Sequence, residues 1–216
     1  MQDWIRTLFE CPPMLDMGHG QSAPDLNLGL GWVYYGLARA LRPSRVLVIG
    51  SWRGFVPLVL ARALSDNGGE SGPIFLDPSL ADDFWSDPAA VSAHLGRFGG
   101  ERIRHYRMTT QEFVRTQDYR RLDGLDLLFV DGYHTQEQAR FDHLSFAPLL
   151  GTRGLALFHD SIRPRLSTLY GPGRHYEHSV CRYIDELRRS GDYEVFDLPV
   201  DSGVTLVRRL SRGPTV

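Results

Sequence analysis

The chain has 216 residues, 42% hydrophobic and 23% charged, enough for one domain with a sizeable core. Its 24 basic and 26 acidic residues give a formal net charge of −2, which favours neither nucleic acid nor an anionic membrane as a partner. The two cysteines, Cys11 and Cys181, lack metal-type spacing, no apolar run reaches a membrane span, and no basic-then-apolar signal opens the chain, so a cytoplasmic soluble protein is expected.

Asp3 to Phe9 reads as a short helix, and Cys11 to Asp25, rich in Pro, Gly and Ser, as a loop. Leu26 to Leu41 carries apolar residues at helical spacing and stops before Pro43. RVLVIG (45–50) is an apolar run closed by glycine, FVPLVLARALS (55–65) a helix, and GPIFLD (72–77) a second buried strand. Asp87-Pro88 caps and opens a helix to about Phe98, and RIRHYRM (102–108) is a strand. Thr109 with Glu112, and Thr135 with Gln138, are capping-box patterns. LDLLFVD (125–131) and GLALFHD (154–160) are buried strands around a helix from Thr135 to about Leu150. A last helix spans Ser179 to Arg189, and YEVFDLP with GVTLVRR closes the chain as a hairpin. Strands alternating with helices predict βαβ units and a mostly parallel sheet.

In such a sheet, ligands bind beyond the carboxyl ends of the strands. Gly50–Gly54, Asp77, Asp131–His134 and His159–Asp160 all fall there. GSWRG has bulky Trp52 and Arg53 between its glycines, which hampers close approach to a pyrophosphate. A ligand without phosphate, such as S-adenosylmethionine, tolerates the looser loop, and Arg53 could face its carboxylate. Asp77 can accept from two ribose hydroxyls, a placement that serves NAD equally. Thr110 and Gln111 could meet the adenine, or simply belong to a helix cap.

Asp131, His159 and Asp160 lie on strands expected to pair, and they make a candidate site for a divalent cation such as Mg²⁺ or Mn²⁺. Such an ion would hold an acceptor hydroxyl and lower its pKa. His134 is placed as a general base. GHGQSAPDL (18–26), DDFW (82–85) and RPRLSTLYGPGRHYEHS (163–179) are candidate lids, the last with Tyr170, His175, Tyr176 and His178 for a polar aromatic or sugar-like ligand.

VLVIGSWRG, IFLDPS, LLFVDGYHT and GLALFHDS, in this order, resemble the class I S-adenosylmethionine-dependent methyltransferases. The nearest branch is methyltransferase domain family 24, which contains macrocin-type sugar O-methyltransferases and cephalosporin hydroxylase-like proteins. The resemblance covers roughly residues 45 to 208. It implies an α/β, Rossmann-like three-layer sandwich with a mostly parallel seven-stranded sheet and a C-terminal antiparallel hairpin. Residues 43–210 would form the methyltransferase domain, and residues 1–42 a helical and loop extension acting as substrate lid or dimer contact.

The resemblance further implies that Gly50, Ser51, Arg53 and Gly54 line the cofactor loop. Asp77 would hold the ribose, Asp131 would ligate a metal and touch the cofactor, and His134 would be catalytic. His159 and Asp160 fall where metal-dependent relatives have two adjacent acids. The chain departs from the pattern at Val48, where an acid usually precedes the glycine loop, and at His159 itself. The expected activity is methyl transfer to a hydroxyl of a small molecule: a sugar, phenol or natural-product intermediate. The residues also leave open an NAD-dependent oxidoreductase, a hydroxylase-like role, a non-catalytic scaffold and a homo-oligomer.

Overall fold

The structure, a computed structural model, describes residues 1–15, 18–167 and 173–211. Five parallel strands form its centre: β1 (Val46–Gly50), β2 (Ile74–Leu76), β3 (Arg104–Tyr106), β4 (Leu127–Asp131) and β5 (Leu155–His159). The antiparallel hairpin β8 (Tyr193–Leu198) and β9 (Val204–Arg209) completes a seven-stranded sheet in the order β3-β2-β1-β4-β5-β9-β8. A separate two-stranded ribbon, β6 (Arg165–Ser167) with β7 (Tyr176–His178), falls inside the segment expected to be a lid loop.

Side chains alternate along each strand, so both faces of the central strands need cover. On β4, Leu127 and Phe129 enter one core layer and Leu128 and Val130 the other. The first layer is closed by α1 (Gln2–Phe9), α2 (Gly31–Leu41), α3 (Phe55–Asp66) and α4 (Pro88–Arg97), through residues such as Leu8, Tyr34, Phe55 and Leu95. The second is closed by the short α5 (Thr110–Phe113), α7 (Gln136–Leu150) and α8 (Val180–Ser190), through Phe113, Phe146 and Tyr183. One further single turn, α6 (Gln117–Arg120), lies between α5 and β4. Residues 1–42 thus contribute Ile5, Leu8, Met14, Leu28 and Tyr34 to the same core as the sheet.

Local signals set most helix ends. Asp87 accepts from the Ala89 amide with Pro88 at the first turn of α4, and Thr109 and Glu112 make both halves of their capping box. At Thr135 only half of the box forms. Thr135 accepts from the Gln138 amide, while the Gln138 side chain donates to Asp142 at 2.7 Å and accepts from Gln111 at 2.8 Å. The helix expected from Leu26 starts only at Gly31. Leu26 and Gly29 take positive φ, and a Cβ on Gly29 would lie 2.0 Å from the His19 carbonyl oxygen. That close approach folds residues 19–30 into a compact turn instead of a helix.

Register positions the ligand end of the sheet. Gly50 pairs with Asp131 across β1 and β4, and Val130 pairs with Phe158, so Asp131 and His159 follow side by side. The crossovers leave β1 and β4 in opposite directions, towards β2 and β5, which opens a crevice between them.

Candidate active site

A cavity of about 780 Å³ opens at this crevice, a volume within the usual range for small-molecule sites. Gly50, Ser51, Arg53, Asp77, Thr110, Gln111, Asp131, His134, His159 and Asp160 all line it. Gly54 stands behind the wall as the positive-φ N-cap of α3. Gly50 has φ +73°, and a Cβ there would meet the Asp131 carbonyl oxygen at 2.2 Å. Only glycine lets β1 turn out of the sheet this close to β4.

The half of the cavity near β1 and β2 is a cradle. Ser51 Oγ accepts from the Val56 amide at the start of α3. Arg53 forks onto Asp82 at 2.6 and 3.2 Å and packs against the rings of Trp52 and Phe84, so its charge is already matched. Trp85 donates to the Trp52 carbonyl at 2.7 Å, which ties the 82–85 segment to the glycine loop. Asp77 directly follows β2 and accepts from the Ser79 amide. Burial pushes its carboxyl up to about 6. Val48, where an acid was the familiar pattern, is buried in the first core layer.

The other half is a dense acid–histidine cluster. His159 Nδ1 lies 2.7 Å from Asp131 Oδ1, and its Nε2 lies 2.9 Å from the Gly18 carbonyl oxygen. Burial alone would depress the His159 pKa, but Asp131 outweighs it and lifts it to about 9. Burial alone would raise the Asp131 pKa, but His159 brings it below the usual carboxylate range. Asp160, at φ +53°, receives Arg165 and, at 2.8 Å, His178 Nδ1. Burial opposes its charge, yet His178, His159, His134 and Arg165 together hold it well below the usual carboxylate range.

His134 sits between the two acids, with Nε2 3.8 Å from Asp131 and 3.8 Å from Asp160. Its ring stacks on His178 at 4.5 Å, and burial lowers its pKa to about 4. His19 is fully buried, stacks against Phe55, and lies 4.1 Å from the His159 ring. Burial and the neighbouring His159 hold it down at about 3. Among the described residues, His19 Nε2, Asp160 Oδ1 and His178 Nε2 are buried without a hydrogen-bond partner.

Sequence reasoning placed Asp131, His134, His159 and Asp160 together but missed His19 and Arg165. Both lie in segments set aside as candidate lids, and nothing local marks either as reaching the sheet. The 18–26 segment is a fixed wall at its Gly18–His19 end, and 163–179 supplies the β6–β7 ribbon with Arg165 and His178. His175 is exposed, Tyr176 stacks on Tyr133 at 4.5 Å, and Tyr170 lies outside the described residues.

The sheet order and the crevice define a Rossmann-like fold of the class I methyltransferase type. Residues 47–161 match the methyltransferase domain family 24, and the chain belongs to that family of S-adenosylmethionine-dependent methyltransferases. The fold is similar to an S-adenosylhomocysteine-bound methyltransferase of Podospora anserina, PaMTH1, at 21% identity and TM-score 0.61, over 97% of this chain and 86% of that one. It is also similar to the O-methyltransferase TomG of Streptomyces achromogenes, in complex with S-adenosylmethionine and involved in tomaymycin synthesis (17% identity, TM-score 0.64, 97% and 89% covered). A Bacillus cereus O-methyltransferase bound to S-adenosylhomocysteine matches at 12% identity and TM-score 0.65, over 96% and 91%. No curated protein sequence matches the chain. Among the described residues, no helix is long and apolar enough to cross a membrane.

Proposed function

We propose that this chain transfers a methyl group from S-adenosylmethionine to a hydroxyl oxygen of a small molecule, a sugar, phenol or natural-product intermediate. The observation that carries this reading is one cavity joining a cofactor-sized cradle at the β1–β4 crevice to a histidine held between two buried carboxylates. When bound, S-adenosylmethionine supplies an electrophilic methyl on a sulfonium that carries its own leaving group.

The residues fit such a ligand. Gly50 leaves room for a ligand beside β4, and of the lining residues Asp77 would accept from its ribose hydroxyls and Thr110 and Gln111 would face its adenine. Asp131 borders both halves and aligns the acceptor with the methyl. His134 receives the acceptor's proton. It is neutral at neutral pH, with Nε2 too far from either acid for a direct hydrogen bond. Methylation makes the hydroxyl proton strongly acidic, so a base of low basicity suffices. The imidazolium that results lies between Asp131 and Asp160, whose charges stabilise it.

The donor set at Asp131, His159 and Asp160 does not fit the divalent cation expected there, because both ring nitrogens of His159 are already engaged, and no step passes through a metal. Calorimetric titration with S-adenosylmethionine, with NAD as control, tests the cofactor. Transfer of labelled methyl to a panel of hydroxylated small molecules tests the reaction. Absence of S-adenosylmethionine binding, or full turnover by His134→Ala on the true acceptor, would sink the reading.

A further inference from the structure

Two sets of ligand-type atoms lie within 4.8 Å of one another at the cluster: His19, Asp131 and His159, and His134, His159 and Asp160. Both sets depend on His159, so its protons decide whether either can take a metal. A metal-ligating imidazole must offer a lone pair on one ring nitrogen. His159 has none to offer. Its Nε2 points at the Gly18 carbonyl oxygen from 2.9 Å, and a carbonyl only accepts, so Nε2 carries hydrogen. Ser202 Oγ, 3.2 Å from the same nitrogen, also turns its hydroxyl to the Gly18 oxygen. On the other side Nδ1 faces the Asp131 carboxylate at 2.7 Å, a charge-assisted contact that places hydrogen there too.

Charge points the same way. The groups packed on the cluster are Asp131 and Asp160 against His159 and Arg165, with the His178 ring on Asp160 and with His19 and His134 neutral. Two anions already meet two cations, and a divalent ion would leave its charge unmatched in a buried site. Of the two Asp160 oxygens, Oδ2 is taken by Arg165 and His178, which leaves Oδ1 alone without a partner.

We infer that the imidazolium of His159 stands where a divalent cation would otherwise sit, as a built-in monovalent counter-ion that makes the site metal-independent. His159 touches neither cofactor nor acceptor in this role. It is a positioning residue: it fixes one oxygen of Asp131, keeps that carboxylate ionised, and pins the Gly18–His19 wall against the sheet. The inference rests on the methyltransferase reading of the cavity, because it concerns how the acceptor end is held.

The test uses the whole chain. Two-bond nitrogen–proton NMR correlations at neutral pH should show both His159 nitrogens bearing hydrogen. Paramagnetic resonance of added Mn²⁺ should show no saturable site, and a chelator should leave S-adenosylmethionine affinity unchanged. His159→Asp, which removes the cation and adds an acid, should gain a Mn²⁺ site at least about tenfold tighter than any in the parent. A neutral His159 ring, or saturable Mn²⁺ binding by the parent, overturns the inference. The NMR and Mn²⁺ readings on the parent stand even if the variant does not fold. Failure of the function is separable, since it shows as loss of S-adenosylmethionine binding while the NMR signature persists.

Discussion

The cradle half of the cavity and the acid–histidine half are built from different kinds of chain. Gly50, Asp77 and Thr110 follow consecutive parallel strands, and topology alone brings them to one rim. The other half begins the same way, with Asp131 and His159 on neighbouring strands. It is completed from far away: the Gly18 contact spans 141 residues to His159 and 184 to Ser202, and Arg165 and His178 come from the β6–β7 ribbon. The cradle needs only backbone shape and one acceptor. The cluster needs charges balanced out of water, and each charge must find its partner wherever the chain can supply one.

If the halves divide labour, substitutions should separate binding from chemistry. The largest effect is expected at His134→Ala. Turnover should fall by about 10²–10⁴-fold while the S-adenosylmethionine Kd holds, read by steady-state kinetics beside calorimetry. The Asp131–His159 pair should next show itself in stability. Because the His159 pKa is raised from 6.5 to about 9, its contribution is full below pH 6.5 and is lost as pH rises through about 9. Urea denaturation across that window should lose about 3 kcal/mol in the parent, and His159→Gln should flatten the slope.

Asp77→Asn probes the cradle. It should weaken S-adenosylmethionine by about 10–100-fold with little change in turnover at saturation. In the parent the same affinity should fall as pH drops below about 6, where the raised carboxyl takes its proton. An equal loss of kcat would show that the halves are not separable. The smallest effect concerns Asp142, a buried carboxyl in the lining of the cavity that burial pushes up to about 6. Its ionisation favours the unfolded chain, with no penalty below about pH 4 and the full penalty above 6. Asp142→Asn should therefore be more stable by about 1–2 kcal/mol at pH 8, with the gain gone by pH 4, in paired denaturation curves.

The regular elements were legible because their causes are local. Asp87-Pro88, Thr109 with Glu112 and the uninterrupted apolar strands each carry their own signal within a few residues. The late start of α2 was not legible, since it depends on Gly29 packing against the backbone of residue 19. Gln138 looked like half of a capping box, but Gln111 and Asp142, which meet it only in the folded molecule, claimed its side chain.

By itself the sequence determined the parallel sheet, the strand ends that line the cavity, and the presence there of Asp131, His134, His159 and Asp160. These follow from period, burial and capping, which act over short stretches of chain. The tertiary structure alone decided what those residues are paired with. Charge balance comes from the neighbouring strand and from the β6–β7 ribbon, the Gly18 hydrogen bonds from 141 or more residues away, and only the fold brings Gly18 and Ser202 to His159. That pairing turns a residue typed as a metal ligand into a fully protonated cation.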